Sequence, residues 1–160
     1  MTCSKIMNSH PLTLTPDTTV GEALDCMRKA GVRAAAVTDS SGTVMGLFSL
    51  RNLMETILPV SMSSDDSPLS GIVVNNAPGL QLRMQKVMMQ TVAAVMDRRF
   101  SSVYPDTAQT QAARMIANNG ESVIVLDEDT GRLHGMISDQ CLVDGLLSSF
   151  EAVSAKKSSG

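Results

Sequence analysis

The chain has 160 residues, and its 13 Lys and Arg against 16 Asp and Glu give a formal net charge of −3. This length suits one compact domain built of two halves. The small negative charge excludes a broad basic field for nucleic acid or an anionic membrane, and the 2% aromatic content excludes a stacking platform for single strands.

The cysteines and histidines indicate whether the chain has a metal site and which cellular compartment it suits. Cys3, Cys26 and Cys141 form no CxxC pair, and with His10 and His134 they make no zinc spacing, so we expect no metal site. An odd cysteine count favours a reducing compartment. The sequence shows no signal segment and no apolar run long enough to span a bilayer. We therefore expect a cytoplasmic protein.

The first unit of the chain, residues 1–58, is predicted to run strand, helix, strand, strand, helix. Leu12–Leu14 alternates before a proline, which predicts a short edge strand. Thr19 and Glu22 have the spacing of a capping box, so a helix begins there, and it ends at Gly31. A hairpin and a last helix complete the unit, over residues 34–37, 43–48 and 49–57.

Residues 59–91 match nothing else in the chain and are predicted to form a linker with an amphipathic helix. Residues 61–68 and 75–79 have the composition of loops. Apolar and small residues then recur at helical spacing, at Leu82, Met84, Val87, Met88, Thr91 and Val95. This stripe predicts packing on the core or at a dimer interface, and an exposed groove for a partner is the alternative.

The second unit, residues 92–150, repeats the first at a constant offset of 89 residues, the difference between Pro105 and Pro16. The matched positions are mostly Gly, Ser and Thr, so the path of the backbone is what repeats. The predicted core positions of its last helix are Leu142, Val143, Leu146 and Leu147. Residues 151–160 are predicted to be a disordered tail.

Four segments carry a family pattern, which reads IMNSHPLTLTPDTTVGEALDCM and AVTDSSGTVMGLFSLRNL in the first unit, and VMDRRFSSVYPDTAQTQAARMI and VIVLDEDTGRLHGMISDQCL in the second. The pattern resembles the tandem cystathionine-beta-synthase (CBS) domain pair, the Bateman module. The resemblance implies an α+β fold of the α/β type, with two pseudo-twofold-related β-α-β-β-α repeats packed through their sheets and joined by a linker that contains a helix. It also implies a regulatory, signal-transducing homodimer that requires no cofactor and binds adenosine-containing ligands in clefts between the repeats.

The family's ligand motif is a Gly, a hydrophobic residue, any residue, Ser or Thr, two variable residues and an Asp. The first unit reads Gly46-Leu47-Phe48-Ser49-Leu50-Arg51-Asn52, so the resemblance implies that Ser49 and Asn52 bind the ribose. An Asn oxygen accepts hydrogen bonds without the charge of a carboxylate, so we expect a weaker grip. The resemblance places the adenine by position against Thr13, Leu14, Arg33, Ala34 and Ala35. Arg51 is the phosphate candidate.

The second unit reads Gly135-Met136-Ile137-Ser138-Asp139-Gln140-Cys141. Ser138 stands in the hydroxyl slot, but Cys141 replaces the acid and is a poor acceptor for a ribose diol, so this second site is predicted to be degenerate. The residues of the first site can also be explained without a ligand. Ser49 can simply cap a helix, small Ala side chains can pack a sheet, and Arg51 can be a solvated surface charge.

Two functions of different classes follow from these residues. The first is a sensor that binds AMP, ADP, ATP or S-adenosylmethionine between the repeats and acts on an unidentified effector protein. The alternative is a dimeric protein-interaction module with ligand-free pockets, in which Met84 and Met88 carry the association. Catalysis is not predicted, because carboxylates such as Asp25 and Glu121 have no paired histidine. Neither nucleic acid nor a membrane is an expected partner.

Overall fold

The computed structural model describes residues 1–58 and 77–158. Within these residues it has two three-stranded sheets and six α-helices, which confirms the predicted α+β fold. Residues 59–76, most of the predicted linker, lie outside the described residues. No helix in the described part of the chain is both long and apolar enough to cross a bilayer.

The chain divides into two compact bodies whose boundaries differ from those of the repeats. Body A contains Leu12–Asp39 and Met45–Arg98, and body B contains Met1–Pro11, Ser40–Val44 and the chain from Arg99 onward. The repeats were predicted as residues 1–58 and 92–150. The residues that precede the first strand of each repeat, 1–11 and 92–98, belong to the body that contains the other repeat's sheet, and we call them the lead-in segments.

The described residues of body A form the first sheet and four helices. The elements are β1 (Thr13–Leu14), α1 (Val20–Ala30), β2 (Ala34–Thr38), β3 (Val44–Ser49), α2 (Leu50–Ile57), α3 (Ala77–Met88) and α4 (Val92–Val95). The strand order is β1-β2-β3, and β1 runs parallel to β2. The predicted capping box of α1 is present, since the Thr19 hydroxyl accepts from the Glu22 N–H, and the helix ends at Gly31 with a φ of 69°. Both helix signals are therefore confirmed.

The predicted stripe of the linker helix is divided between α3 and α4. Val87 and Met84 pack on the core of body A, whereas Leu82 and Met88 are exposed. After Met88 the backbone bonds instead to the start of α1 and to the loop before it. The Gln90 carbonyl accepts from the Val20 N–H at 2.9 Å, and the Val92 N–H donates to the Thr18 carbonyl at 2.8 Å.

The loop predicted at residues 75–79 is wrong for Ala77–Gly79, which form the first turn of α3. Proline is tolerated there because a first-turn N–H has no partner within the helix.

Body B contains the second sheet and two helices. The elements are β4 (Ser102–Val103), α5 (Gln109–Asn119), β5 (Val123–Leu126), β6 (Leu133–Ile137) and α6 (Asp139–Ser158). β4 is parallel to β5, and β5 and β6 form the predicted antiparallel hairpin. In its turn, the Asp127 carboxylate accepts the N–H groups of Thr130 and Asp129, both at 2.9 Å. These bonds lower the pKa of Asp127.

Helix α6 corrects two predictions. It continues to Ser158, so residues 151–158 are helical where a disordered tail was expected. Of the four predicted core positions, only Leu142 packs on the core of body B, while Val143, Leu146 and Leu147 are exposed. The face that docks on the body carries Gly145 instead, where an added Cβ would overlap Ile6.

The lead-in segments of the two repeats fill equivalent places in the two bodies. Cys3 and Ile6 are buried in the core of body B, and Val92 and Val95, 89 residues later, are buried in the core of body A. Burial raises the pKa of the Cys3 thiol. The two lead-in segments therefore repeat in structure as well as in sequence, since each fills the same part of a core.

Candidate functional site

The first motif lies in body A, where β3 ends and α2 begins. Ser49 is the N-cap of α2: its Oγ accepts from the Asn52 N–H at 3.0 Å, and the residue is only 4% exposed. The capping role that the sequence allowed is thus present.

Asn52 holds the unusual atom of this motif. Its Oδ1 is sealed from solvent and has no hydrogen-bond donor among residues 1–58 and 77–158. A buried polar atom left in this way costs about 1–3 kcal/mol, so such atoms are rare in native proteins. The orphaned oxygen stands in the slot where the family motif has its acid.

The start of β2 lies beside the motif. The Leu50 N–H donates to the Arg33 carbonyl at 3.0 Å, which ties the first residue of α2 to the residue before β2. Arg33 is exposed and Ala34 is half-buried, so both residues lie at least partly at the surface. Ala35 lies wholly in the core of body A.

The β1 residues are further from the motif along the sheet. Thr13 pairs with Ala36, and its side chain is exposed. Leu14 is buried in the core of body A, as Ala35 is. Leu14 and Ala35 therefore offer a ligand only backbone groups, and the small side chain of Ala35 serves the packing of the sheet.

Arg51 is on the outer surface of α2. Its side chain is 54% exposed, and its Nε lies 3.6 Å from Oε1 of Glu55 one helical turn later. An exposed pair of this kind stabilises a helix by less than about 1 kcal/mol. Arg51 thus lies at the surface, one residue into α2 from its N-terminus.

Sequence reasoning missed the segment that packs against the motif. Leu47 and Asp97 exchange two backbone hydrogen bonds at 2.9 Å. A Cβ at Gly46 would lie 2.9 Å from the backbone carbonyl oxygen of Asp97, so a side chain here would force the backbone to shift. The match of Met7 with Met96 at the offset of 89 was the available signal, but it says nothing about which body receives the segment.

The second motif repeats the cap and the close approach. Ser138 Oγ accepts from the Cys141 N–H at 3.1 Å. Asn8 and Met136 exchange two backbone hydrogen bonds at 2.9 and 3.0 Å, and an added Cβ at Gly135 would lie 2.8 Å from the Asn8 carbonyl oxygen.

The environment of Cys141 differs from that of Asn52. It lies along a groove of about 730 Å³ in body B, between the N-terminal segment and α6, whose lining also includes Lys5, Ile6, Asp144 and Ser148. Cys141 brings no carboxylate or amide oxygen to this groove, so the last position of the second motif offers no acceptor of the kind that Asn52 provides.

The comparisons with known proteins agree with this architecture. The family model of the CBS domain matches residues 3–59 and 92–148. No curated protein matches the chain. Among solved structures, the CBS-pair protein CBSX2 from Arabidopsis thaliana is 21% identical, with a TM-score of 0.71 over 94% of this chain and 96% of that one.

Two further structures share the fold. CBSX2 in complex with AMP is 21% identical, with a TM-score of 0.67 over 92% of this chain and 96% of that one. A putative acetoin utilization protein from Vibrio cholerae is 18% identical, with a TM-score of 0.70 over 97% and 96%. The family model covers most of the chain in two copies, and the chain therefore belongs to the CBS domain family as a tandem pair.

Proposed function

We propose that the protein is a regulatory module that binds one adenosyl compound per chain, at the motif of the first repeat. The single observation that carries this proposal is the orphaned Oδ1 of Asn52. A ribose hydroxyl is a donor of the right kind for this atom. Because Oδ1 is sealed from solvent, binding requires rotation of the Asn52 side chain toward the ligand.

The surrounding groups suit the rest of such a ligand. Arg33 and Ala34 lie at the start of β2, next to the N-terminus of α2, and can border the base. Arg51 is the cation for a phosphate, near backbone N–H groups at the start of a helix. A position between the two repeats, which the family resemblance implies, stays a prediction. AMP is the first ligand to test, since one protein of the same fold crystallised with it.

Calorimetric titration with AMP, ATP and S-adenosylmethionine tests the proposal. We expect at least one of them to bind with a single ligand per chain. Asn52→Asp should tighten binding about tenfold, ~1.4 kcal/mol, because a charged acceptor makes stronger hydrogen bonds. Asn52→Leu should abolish binding.

The matched control is Cys141→Ser in the second motif, which should leave the affinity and stoichiometry unchanged. The absence of heat for all three ligands, with both the wild type and Asn52→Asp, would overturn the proposal. A stoichiometry of two, or equal losses from changes at positions 52 and 141, would contradict the assignment to the first repeat.

A second candidate function is a dimeric protein-interaction module with ligand-free pockets. The observation that favours it is an exposed apolar surface on α6, which includes Phe150 and Leu147. Association through the linker helix needs revision, since Met84 packs on the core and only Met88 of that pair is exposed. Met84→Lys would therefore damage the fold of body A rather than report on association.

A further inference from the structure

The first motif carries positive charge and no carboxylate. The residues from Gly46 to Asn52 contain no acid, and Arg51 immediately precedes Asn52. The backbone of a second cation, Arg33, adjoins the motif, because its carbonyl accepts the N–H of the first residue of α2 at 3.0 Å. The one carboxylate of α2, Glu55, lies a helical turn after Arg51 and pairs with it. The start of α2 therefore favours an anionic group on a ligand.

The amide of Asn52 differs from a carboxylate in having one polar atom of each kind. Its Oδ1 accepts hydrogen bonds, and its Nδ2 donates them. A carboxylate only accepts, so it suits a ribose whose two hydroxyls both donate to it, and its charge repels a phosphate. An amide matches a ribose that offers one donor and one acceptor. A phosphate attached to one of the two hydroxyls creates this pair, since an ionised phosphate is a strong acceptor.

We propose that the first motif prefers an adenosyl compound whose ribose carries a phosphate on one hydroxyl, at the 2′ or the 3′ position. The remaining hydroxyl donates to Oδ1 of Asn52, which has no donor among residues 1–58 and 77–158. The phosphate accepts from Nδ2 and from the guanidinium of Arg51. The Cα–Cβ bonds of both residues are tilted toward the N-terminus of α2, as in any helix. The inference rests on the proposed function, because it requires that the motif binds a ribose.

The same exchange of side chains separates two classes of ligand in dinucleotide-binding folds. There a carboxylate hydrogen-bonds the free ribose of NAD, whereas an arginine accommodates the 2′-phosphate of NADP. Arg51 and Asn52 supply the second combination, an arginine beside a residue that is not an acid. The second motif lacks it, since Asp139 and Gln140 stand where the first motif has Leu50 and Arg51. The preference should therefore belong to the first motif alone.

Calorimetric titration of the whole chain with 5′-ADP, 2′,5′-ADP and 3′,5′-ADP tests the preference. The three compounds are isomers that differ only in where the second phosphate is attached. We expect one of the two ribose phosphates to bind about tenfold more tightly than 5′-ADP, because it alone makes charge-assisted hydrogen bonds beside the ribose. The tighter of the two identifies the hydroxyl, the 2′ position as in NADP or the 3′ position as in coenzyme A.

Two substitutions assign the preference to its residues. Asn52→Asp should weaken the preferred ribose phosphate about tenfold by charge repulsion and tighten 5′-ADP. Arg51→Gln should lower the ratio of the two affinities about tenfold, and since Arg51 is exposed, this variant decides the matter even if Asn52→Asp does not fold. The matched control is Arg114→Gln, an exposed arginine of α5 in body B, which should leave the ratio unchanged. Circular dichroism reports whether each variant is folded.

The outcomes separate this inference from the proposed function. If 5′-ADP binds at least as tightly as both ribose phosphates, the inference is overturned and the adenosyl site stands. If a ribose phosphate binds more tightly but the folded variants at positions 51 and 52 keep the ratio, the preference arises elsewhere and the inference is again overturned. If no adenosyl compound binds, the proposed function fails and the inference fails with it.

Discussion

The two repeats carry the same serine cap and differ three residues later. Ser49 and Ser138 accept the N–H of residues 52 and 141 at 3.0 and 3.1 Å. Asn52 places a buried oxygen without a donor at this point, whereas Cys141 lies along a groove. Helix capping accounts for the shared serine, so the two motifs differ in the group that follows it at the third position of the helix.

The close approach beside each motif is, by contrast, fully conserved between the two bodies. Gly46 lies against Met96 and Asp97, and Gly135 lies against the equivalent Met7 and Asn8. The two halves thus share this packing, while the side chain at the third position of the helix differs, Asn52 in one and Cys141 in the other.

The largest loss of stability should come from placing a side chain at Gly46 or Gly135, where another segment lies close to the backbone. Gly46→Val puts a side chain where the Asp97 carbonyl oxygen lies 2.9 Å from an ideal Cβ, and backbone cannot move aside as a flexible side chain can. We expect a loss of about 3 kcal/mol in the free energy of unfolding. Gly135→Val should cost a similar amount, as measured by urea denaturation.

A control for this prediction is Gly131→Ala in the second hairpin turn. An added Cβ meets nothing within 4 Å there, but φ is +71°, so only conformational strain of about 1 kcal/mol is expected. Equal losses at Gly131 and Gly46 would mean that the approach to Asp97 is unimportant.

Removal of the two caps should give unequal losses. Ser49 is buried, so water cannot readily replace its hydroxyl on the Asn52 N–H, and we expect Ser49→Ala to destabilise the protein by about 1–2 kcal/mol. Ser138 is half-buried, and water can replace its hydroxyl, so Ser138→Ala should cost about 0.5–1 kcal/mol. Thermal unfolding of the two variants side by side measures the difference, and a larger loss at Ser138 would contradict it.

Replacement of Asn52 should stabilise the protein when no ligand is added. Asn52→Leu is close in volume and removes the orphaned oxygen, so the free energy of unfolding should rise by about 1 kcal/mol. Cys141→Leu at the equivalent position removes no such atom and should give no gain. If Asn52→Leu were destabilising instead, the oxygen would have a partner that the structure does not reveal, and the main support for the ligand site would be lost.

Local signals in the sequence predicted the first repeat well. The Thr19 capping box and Gly31 act within one helical turn, so sequence spacing suffices to identify them. Ser49 was predicted both as a cap and as a ligand residue, and the structure shows the cap. The orphaned state of Asn52 could not be foreseen, because it depends on every group that packs around it.

Long-range packing explains the errors. Val143 and Leu146 are exposed because Ile6, far away in sequence, selects the other face of α6 by its approach to Gly145. Likewise α3 ends at Met88, and Gln90 and Val92 then bond to the start of α1 and to the loop before it. The periodicity of apolar residues identified these helices but could not say which face a distant segment would cover.

The smallest expected effect concerns the two hairpin turns. Hydrogen bonds from the N–H groups of Thr130 and Asp129 lower the pKa of Asp127. The equivalent residue in the first repeat, 89 positions earlier, is Thr38. A carboxyl whose pKa is lower in the folded state stabilises the protein above its unfolded pKa, near pH 4, and that contribution is lost as the pH falls through the folded pKa.

Asp127→Asn should therefore flatten the dependence of the free energy of unfolding on pH below about pH 4, where ordinary aspartates titrate. It should lower stability slightly at pH 7, since the amide oxygen accepts the same N–H groups without charge. Thr38→Asp should add a shallow acid dependence if the first turn can present the same N–H groups. Urea denaturation from pH 2 to pH 7 checks both variants. If Asp127→Asn leaves the pH dependence of the free energy of unfolding unchanged, the turn's hydrogen bonds persist equally in the unfolded chain. The two hairpin turns would then be energetically alike despite their different residues.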